Sequence, residues 1–504
     1  MRNKFICDTL FEKTGEKNIF KCKLCLKTRK QETGKGYSNL MNHLITDHPD
    51  YEDQCNVLSR NGSVLSHFVL IPKVVNIVDW MDWILDQNLP FSFVDKESTR
   101  KNSSLKPISS ETLKAKMFLL EEHLQTYIAQ NLPEKFGILF DGWSDSNVHY
   151  LAVYAVVPFS DIFGQYPLLM FSPLLDEEDL SSESYNAAFD WIMDKYKKKH
   201  ENISFFIGDN CSINVKAARD RGIPLIGCAS HRLNLAVKKF LIKFSPIFEK
   251  LNCLKKKLKT IKGKAFLKQN GFKMSKTINQ TRWSSVFQML ERYTDFLKFE
   301  NGKLILLLSE NKDFLPLLLS PQENDEIKEL FKNLKKLDSV CLFLQKPSAT
   351  FAHVRLLFDK VIEEFPSLSS HLSTNASIVK YPNLENGLVK IQNQEEHLLT
   401  LMEKEALSFL KTSKTCNEPA PIDKPFDFAE GIVQQKKLRV CETSYVDTTY
   451  IVPTSNLVER LFSSSKDVLS DKRKSIKQES VELIMFLKVN RKLITSDMFR
   501  DAWQ

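Results

Sequence analysis

Cys22-Lys23-Leu24-Cys25, a seventeen-residue spacer and His43-Leu44-Ile45-Thr46-Asp47-His48 form a Cys-x2-Cys followed by a His-x4-His. Two thiolates on one tight turn reach a single ion, and two imidazoles about a helical turn apart complete a closed tetrahedral site with no open water position. Four ligands in this order within one short segment outweigh the alternative of unrelated buried residues. The segment is therefore expected to hold a structural Zn2+ on Cys22, Cys25, His43 and His48. Around these ligands stand Lys21, Lys23, Lys27, Arg29, Lys30 and Lys35 against Glu32 alone. That balance predicts a small knob with a positive face toward phosphates, a solvated charge run being the plainer alternative.

The remaining 450 or so positions exceed one ordinary core, since the whole chain has 504 residues, and two to four folding units are expected. A hydrophobic fraction of 42% beside 26% charged residues reads as soluble and globular. The formal charge of +9 favours a polyanionic partner. Ten cysteines scattered along the chain lack the dense spacing of a secreted disulfide scaffold, so a reducing compartment is expected. Arg2, Lys4 and Asp8 interrupt the N-terminus before any signal-peptide run, and no stretch reaches membrane-spanning length.

The chain reads as an α+β multidomain protein. A zinc module over 1–55 precedes a helical DNA-binding or linking region over 60–130, with Glu111 to Gln130 showing apolar residues at three- and four-residue intervals. Over 131–240 the texture changes to a mixed α/β layer. Phe136 to Asp141, Tyr150 to Phe159 and Tyr166 to Phe171 read as three consecutive strands, with Asp141-Gly142 and Asp161 to Gly164 as turns. A helix over Ser184 to Lys198, a strand over Ser204 to Gly208, a helix from Ser212 and a short strand over Pro224 to Gly227 follow. Residues 241–440 are almost wholly helical, broken by prolines 316, 347, 366 and 382, with a linker over Lys411 to Asp427. Residues 445–504 return to helix.

Asp141 ends the first predicted strand and Asp209 the fourth, which can lie beside the first. Carboxylates at the ends of neighbouring strands converge on divalent metals, and two such ions clamp both oxygens of an in-line phosphoryl displacement. Each aspartate also has a structural explanation, as turn dipeptide and as helix entry. Asn456 to Glu459 likewise reads as a capping box.

Five segments occur in order: Phe140-Asp141-Gly142-Trp143-Ser144, Gly208-Asp209-Asn210-Cys211-Ser212, Cys228 to Leu235 with His231, Thr281-Arg282-Trp283-Ser284-Ser285, and Pro453 to Ser463 with Glu459. Together they resemble the hAT superfamily of DNA transposases. The segment around Gly36 to Leu44 resembles a BED-type zinc finger, and Val481 to Asn490 looks like the hAT C-terminal dimerisation region. The resemblance implies an RNase H-like mixed α/β core interrupted by a large all-helical insertion. It matches Asp141, Asp209 and Glu459 to the family's acidic triad, holding Mg2+ or Mn2+, and it makes Trp143, Cys228, His231 and Arg282 neighbours of the active site. Trp283, otherwise a core residue, corresponds to a tryptophan associated with a flipped base. DNA is the implied partner, with self-association and a nuclear location. The tryptophan-rich segment that members often carry upstream of the glutamate has no counterpart between Asp427 and Val452. Three functions follow: a cut-and-paste transposase, a domesticated regulator that binds DNA and dimerises but cuts nothing, and, last, an RNase H-like nuclease unrelated to transposition.

Overall fold

The computed structural model describes residues 3–14, 18–25, 27–32, 36–49, 51, 72–145, 148–173, 181–271, 283–298, 302–411, 444–469 and 477–503. It is a mixed α and β protein with three hydrophobic cores. The first belongs to the Cys/His segment. Helix α1 (Asn3–Leu10) leads into an antiparallel sheet of β1 (Phe11–Lys13), β2 (Ile19–Cys22) and β3 (Thr28–Lys30), and α2 (Ser38–Asp47) closes it. Ile6, Leu10, Phe11, Leu40 and Leu44 bury their side chains together with that of Cys22, so the module's apolar core adjoins its ligands.

The second core is built on a five-stranded sheet. Two helices precede it, α3 (Pro72–Asp86) and α4 (Ser110–Asn131), the latter started by Ser109, whose hydroxyl accepts from the Thr112 amide at 3.1 Å. Strands β4 (Phe136–Asp145), β5 (Val148–Val156) and β6 (Leu168–Pro173) form an antiparallel meander. Helix α5 (Ser182–Lys195), strand β7 (Ile203–Gly208), helix α6 (Ser212–Arg221) and strand β8 (Leu225–Gly227) follow. The sheet order is β6-β5-β4-β7-β8, with β7 parallel to β4 and β8 parallel to β7. Central strands covered on both faces need continuous apolar runs, and Phe136 to Phe140 are all buried.

The first strand extends past its expected end. Asp141-Gly142 does not turn; both residues stay in β4, paired with Ala152 and Leu151, and the strand runs on to Asp145. The turn chemistry of Asp-Gly is overridden because Gly142 supplies clearance instead. A Cβ there would lie 2.3 Å from the Tyr185 hydroxyl and 2.6 Å from His149 Nε2.

On one face of this sheet Phe140 and Phe206 meet Phe189 of α5 with ring centroids about 5 Å apart, at 5.0 Å in two of the pairs. Helices α3 and α4 share the same core, so residues 72–132 are packed with the sheet.

The third core is wholly helical. It gathers α7 (Ala229–Leu241), α8 (Ser245–Lys259), α9 (Ile261–Gln269), α10 (Ser284–Lys298), α11 (Pro321–Leu344) and α12 (Phe351–Glu364). It therefore begins at Ala229, a dozen residues before the expected edge at 241. Pro321 and Pro382 each stand at the first turn of a helix, where the missing N–H costs nothing. With α13 (Pro382–Gln392) the chain returns to the sheet core, which Leu384, Leu388, Leu407 and Leu410 join. All but the first residue of the expected linker lies outside the described residues.

The C-terminal helices α14 (Asn456–Val468), α15 (Gln478–Val489) and α16 (Ser496–Trp503) complete the sheet core. Val481, Leu483, Ile484, Met485, Phe486 and Leu487 are all buried, so α15 is apolar nearly all round and packs inside the chain against β6, α4 and α3. At the outer edge of β6, the Asn490 side chain substitutes for a neighbouring strand. Its amide donates to the Leu168 carbonyl at 2.9 Å and its oxygen accepts from the Leu168 amide at 2.9 Å. No helix of the described residues is long and apolar enough to cross a membrane.

Candidate metal centres

The Cys/His segment folds so that its four expected ligands converge. Cys22 ends β2, Cys25 sits on the turn after it, His43 lies in α2 and His48 just beyond its end. Their ligand atoms all lie within 4.8 Å of one another. Cys25 Sγ is 3.3 Å from His43 Nε2, and Cys22 Sγ is 3.7 Å from His48 Nε2. Zn–S and Zn–N bonds of tetrahedral geometry set ligand-to-ligand edges of about 3.4–3.8 Å, and these two distances fall inside or within about 0.1 Å of that range. The two imidazoles stand nearly perpendicular, at 86°. Burial lowers the His43 pKa, which keeps the ring a neutral donor, and burial raises that of Cys22, a cost that a bound cation removes by holding the thiolate. The cluster could bind zinc, and donor type, number and spacing all fit.

The positive face of this module differs from expectation. Glu32 is not its sole acid, because the fold adds Glu12 and Asp47. Lys21 pairs with Glu12 at 3.7 Å; Lys27 and Arg29 approach Asp47 at 3.3 and 3.6 Å. Lys23 donates to the Thr9 carbonyl at 2.9 Å. Lys30 remains exposed on β3, and Lys35 lies outside the described residues. Asp47 also reaches His43 Nδ1 at 3.0 Å. Sequence reasoning passed over Asp47, although its place four residues after His43 puts both on one helix face.

The acidic residues expected at the sheet are brought to one face. Leu139 pairs with Ile207 in parallel register, so two residues on, Asp141 in β4 and Asp209 just past β7 stand abreast. Asp209 is held by the Asn214 amide at 2.6 Å and by the Cys211 N–H at 3.3 Å. Trp143, on the same face as Asp141, meets Phe462 of α14 at 5.5 Å. A short relay fixes where α14 begins. The Cys228 amide donates to the Gly208 carbonyl at 2.7 Å, the Ala229 amide donates to the Pro453 carbonyl at 2.9 Å, and the Ser455 amide donates to Cys228 Sγ at 3.3 Å. Thus the entry of α14, four residues before Glu459, is tied to the end of β7 beside Asp209. Asn456 is no helix cap; its buried amide donates to Leu344, Ser230 and Thr454, and the helix start has no side-chain cap bond.

Among the described residues, no group of three acidic, His or Cys side chains outside the Cys/His cluster gathers its ligand atoms within 4.8 Å. Asp141, Asp209 and Glu459 do not gather their carboxylate oxygens around a single point. Hard carboxylate oxygens suit Mg2+ or Mn2+, and a pair of ions separated by about 3.5–4 Å needs a wider mouth than one ion does.

The remaining expected residues separate into neighbours and structural parts. His231 Nδ1 lies 3.9 Å from Asp209, beside the acidic pair. Cys228 is buried with its pKa pushed up by desolvation, and serves as acceptor in the relay above. Trp283 is 4% exposed and packs edge-on to Phe287 in the helical core, the core placement that its apolar helix suggests. An indole on an apolar helix start follows the burial rule unless a partner needs it. Arg282 lies outside the described residues. Sequence reasoning missed the chain Ser144–His149–Tyr185, bonded at 2.8 and 3.0 Å across the strand next to Asp141. No protein-family model matches this chain, and no curated protein matches it in sequence.

Proposed function

We propose that this chain is a hAT-type transposase, or a protein derived from one, that binds DNA through a zinc-bearing finger of BED type and cuts and joins DNA by two-metal phosphoryl transfer. The observation that carries the reading is the placement of Asp141 in β4 and Asp209 at the end of the parallel neighbour β7, with the entry to α14, the helix that bears Glu459, tied to the same strand end. A mixed sheet whose fourth strand runs parallel beside its first also supports an RNase H-like core, and the helical body between Ala229 and Leu372 supports an insertion within it. In this reading Asp141, Asp209 and Glu459 would hold Mg2+ or Mn2+, which supplies an activated water and then an activated DNA 3′-hydroxyl. The chain's own residues fix the geometry: Asn214 orients Asp209, and the Gly208–Cys228–Ser455 relay orients α14. DNA with matching terminal repeats is the partner, self-association through the C-terminal region belongs to the same reading, and the work is nuclear. The test is cleavage of such ends with Mg2+ or Mn2+ by the parent and by Asp209→Asn. Nicking or hairpin formation that disappears in the variant supports the reading, and equal activity in both ends it.

A specific observation favours a second reading, a domesticated DNA-binding protein that cuts nothing. The three carboxylates do not gather around one point, and the tryptophan-rich segment upstream of Glu459 is missing. Binding that requires zinc and Cys22 while the DNA stays intact with either metal supports this second reading; specific cleavage excludes it.

A further inference from the structure

Asp47 occupies a position that the zinc chemistry and the charge pattern each leave unexplained. It is the last residue of α2, one turn after His43 and next to His48. One carboxylate oxygen, Oδ2, lies 3.0 Å from His43 Nδ1, 3.3 Å from Lys27 Nζ and 3.6 Å from an Arg29 guanidinium nitrogen. His43 offers its other nitrogen, Nε2, to the ligand cluster, 3.3 Å from Cys25 Sγ. The His43 side chain is 1% exposed, so Nδ1 has no route to water and Asp47 is the acid beside it. The carboxylate lies off the N–H direction, leaving Nδ1 without an aligned acceptor. Lys27 and Arg29 come from β3 and the turn before it, so a single carboxylate joins the metal-bearing helix to the strand that carries the cations.

We propose that Asp47 is the joint between the metal centre and the basic face: it orients His43 as a ligand and withholds Lys27 and Arg29 from DNA phosphates. The first half is a carboxylate–histidine–metal triad, in which the outer acid fixes the ring's tautomer and raises its basicity. The second half follows from charge: a carboxylate shared by two cations competes with phosphate for both. The DNA half rests on the proposed DNA-binding role, and the metal half stands independently of it.

The test uses the full chain and two variants. Asp47→Ala removes the acceptor and the charge, while Asp47→Asn keeps an acceptor oxygen for His43 and drops only the charge. Co2+ titration, read by its thiolate and d–d absorption bands, and Zn2+ competition against a chromophoric chelator report the metal site. Asp47→Ala is expected to lose about 10- to 100-fold in metal affinity, with Asp47→Asn recovering part of that loss. Metal affinity within twofold of the parent in Asp47→Ala overturns the orienting role. With zinc saturating, both variants are expected to bind duplex DNA more tightly than the parent, and the slope of log affinity against log salt steepens by about 1 to 2 as freed cations take phosphates. Weaker or unchanged DNA binding in zinc-saturated Asp47→Asn overturns the withholding role. Absence of DNA binding in parent and variants alike ends the DNA half together with the proposed function, while the Co2+ spectra still decide the metal half.

Discussion

The guanidinium of Arg232 and the carboxylate of Glu385 meet at 2.9 Å across 153 residues of sequence, both nearly sealed from solvent. Arg232 stands in α7 of the helical core, Glu385 in α13 of the sheet core, and Arg232 also donates to the carbonyls of His371 and Ser373, each at 3.2 Å. The pair fastens the two cores. Removing one partner strands a buried charge, so Arg232→Met is expected to cost about 3–5 kcal/mol, whereas Arg232→Met combined with Glu385→Leu recovers most of it. Thermal unfolding of the three proteins decides: a double variant no more stable than the single one sinks this account.

Gly142 makes a second prediction, because its missing side chain is what lets Tyr185 and His149 lie against β4. Gly142→Ala places a methyl 2.3 Å from the Tyr185 hydroxyl, and the overpacking is expected to cost about 1–3 kcal/mol. Tyr185→Phe removes the closest atom, so it should relieve part of that cost in the double variant. Full additivity of the two substitutions in denaturant unfolding would show that the contact is not the cause.

Much of this architecture was readable from local pattern, and the exceptions share a physical origin. The ligand spacing from Cys22 to His48 specified the finger because coordination is a local constraint, met within 27 residues. Apolar runs marked all five strands of the large sheet because buried strands need them at every position. Asp141-Gly142 was misread as a turn because its glycine serves a partner 43 residues away, which local chemistry does not reveal. The helix and strand ahead of Cys22 and the use of Asn490 as a surrogate strand likewise depend on tertiary partners. The positive face was overcounted partly for the same reason: Glu12 joins it only on folding, while Asp47, four residues after His43, was passed over.

Metal removal should act on one core alone. The finger's buried apolar set is small, comprising Ile6, Cys7, Leu10, Phe11, Cys22, Leu40, Met41 and Leu44, and is separate from the sheet and helical cores. With zinc bound on its four ligands, so small a cluster would draw most of its folding energy from the ion. Chelation, or Cys25→Ser, is therefore expected to expose residues 3–51 to proteolysis while the main thermal transition of the remainder stays within about 2 °C. A chelated protein whose N-terminal segment stays as protected as before would contradict the metal-dependence of the fold.

The last prediction concerns pH and the packing of α15. Burial raises the pKa of Glu121 in α4 and of Glu482 in α15, and burial lowers that of Lys195 in α5, whose ammonium lies near both carboxyls. Glu482 accepts from Ser172 at 3.0 Å and Gln478 at 3.1 Å; Glu121 accepts from Gln125 at 2.7 Å. For an acid raised in the folded state, the stabilising contribution is fully present below the ordinary glutamate value of 4.5 and is lost as pH climbs through the folded value. Lys195 acts in the opposite sense and in an alkaline window, because its folded value lies below 10.5. Glu482→Gln keeps an acceptor for Ser172 and Gln478 but has no charge to desolvate. Melting temperatures measured from about pH 4 to about pH 8 should therefore show the parent losing ground to Glu482→Gln as pH rises. A difference that stays flat, or that favours the parent at the upper end, would mean that Lys195 compensates the buried carboxylate fully and that α15 docks without a pH penalty.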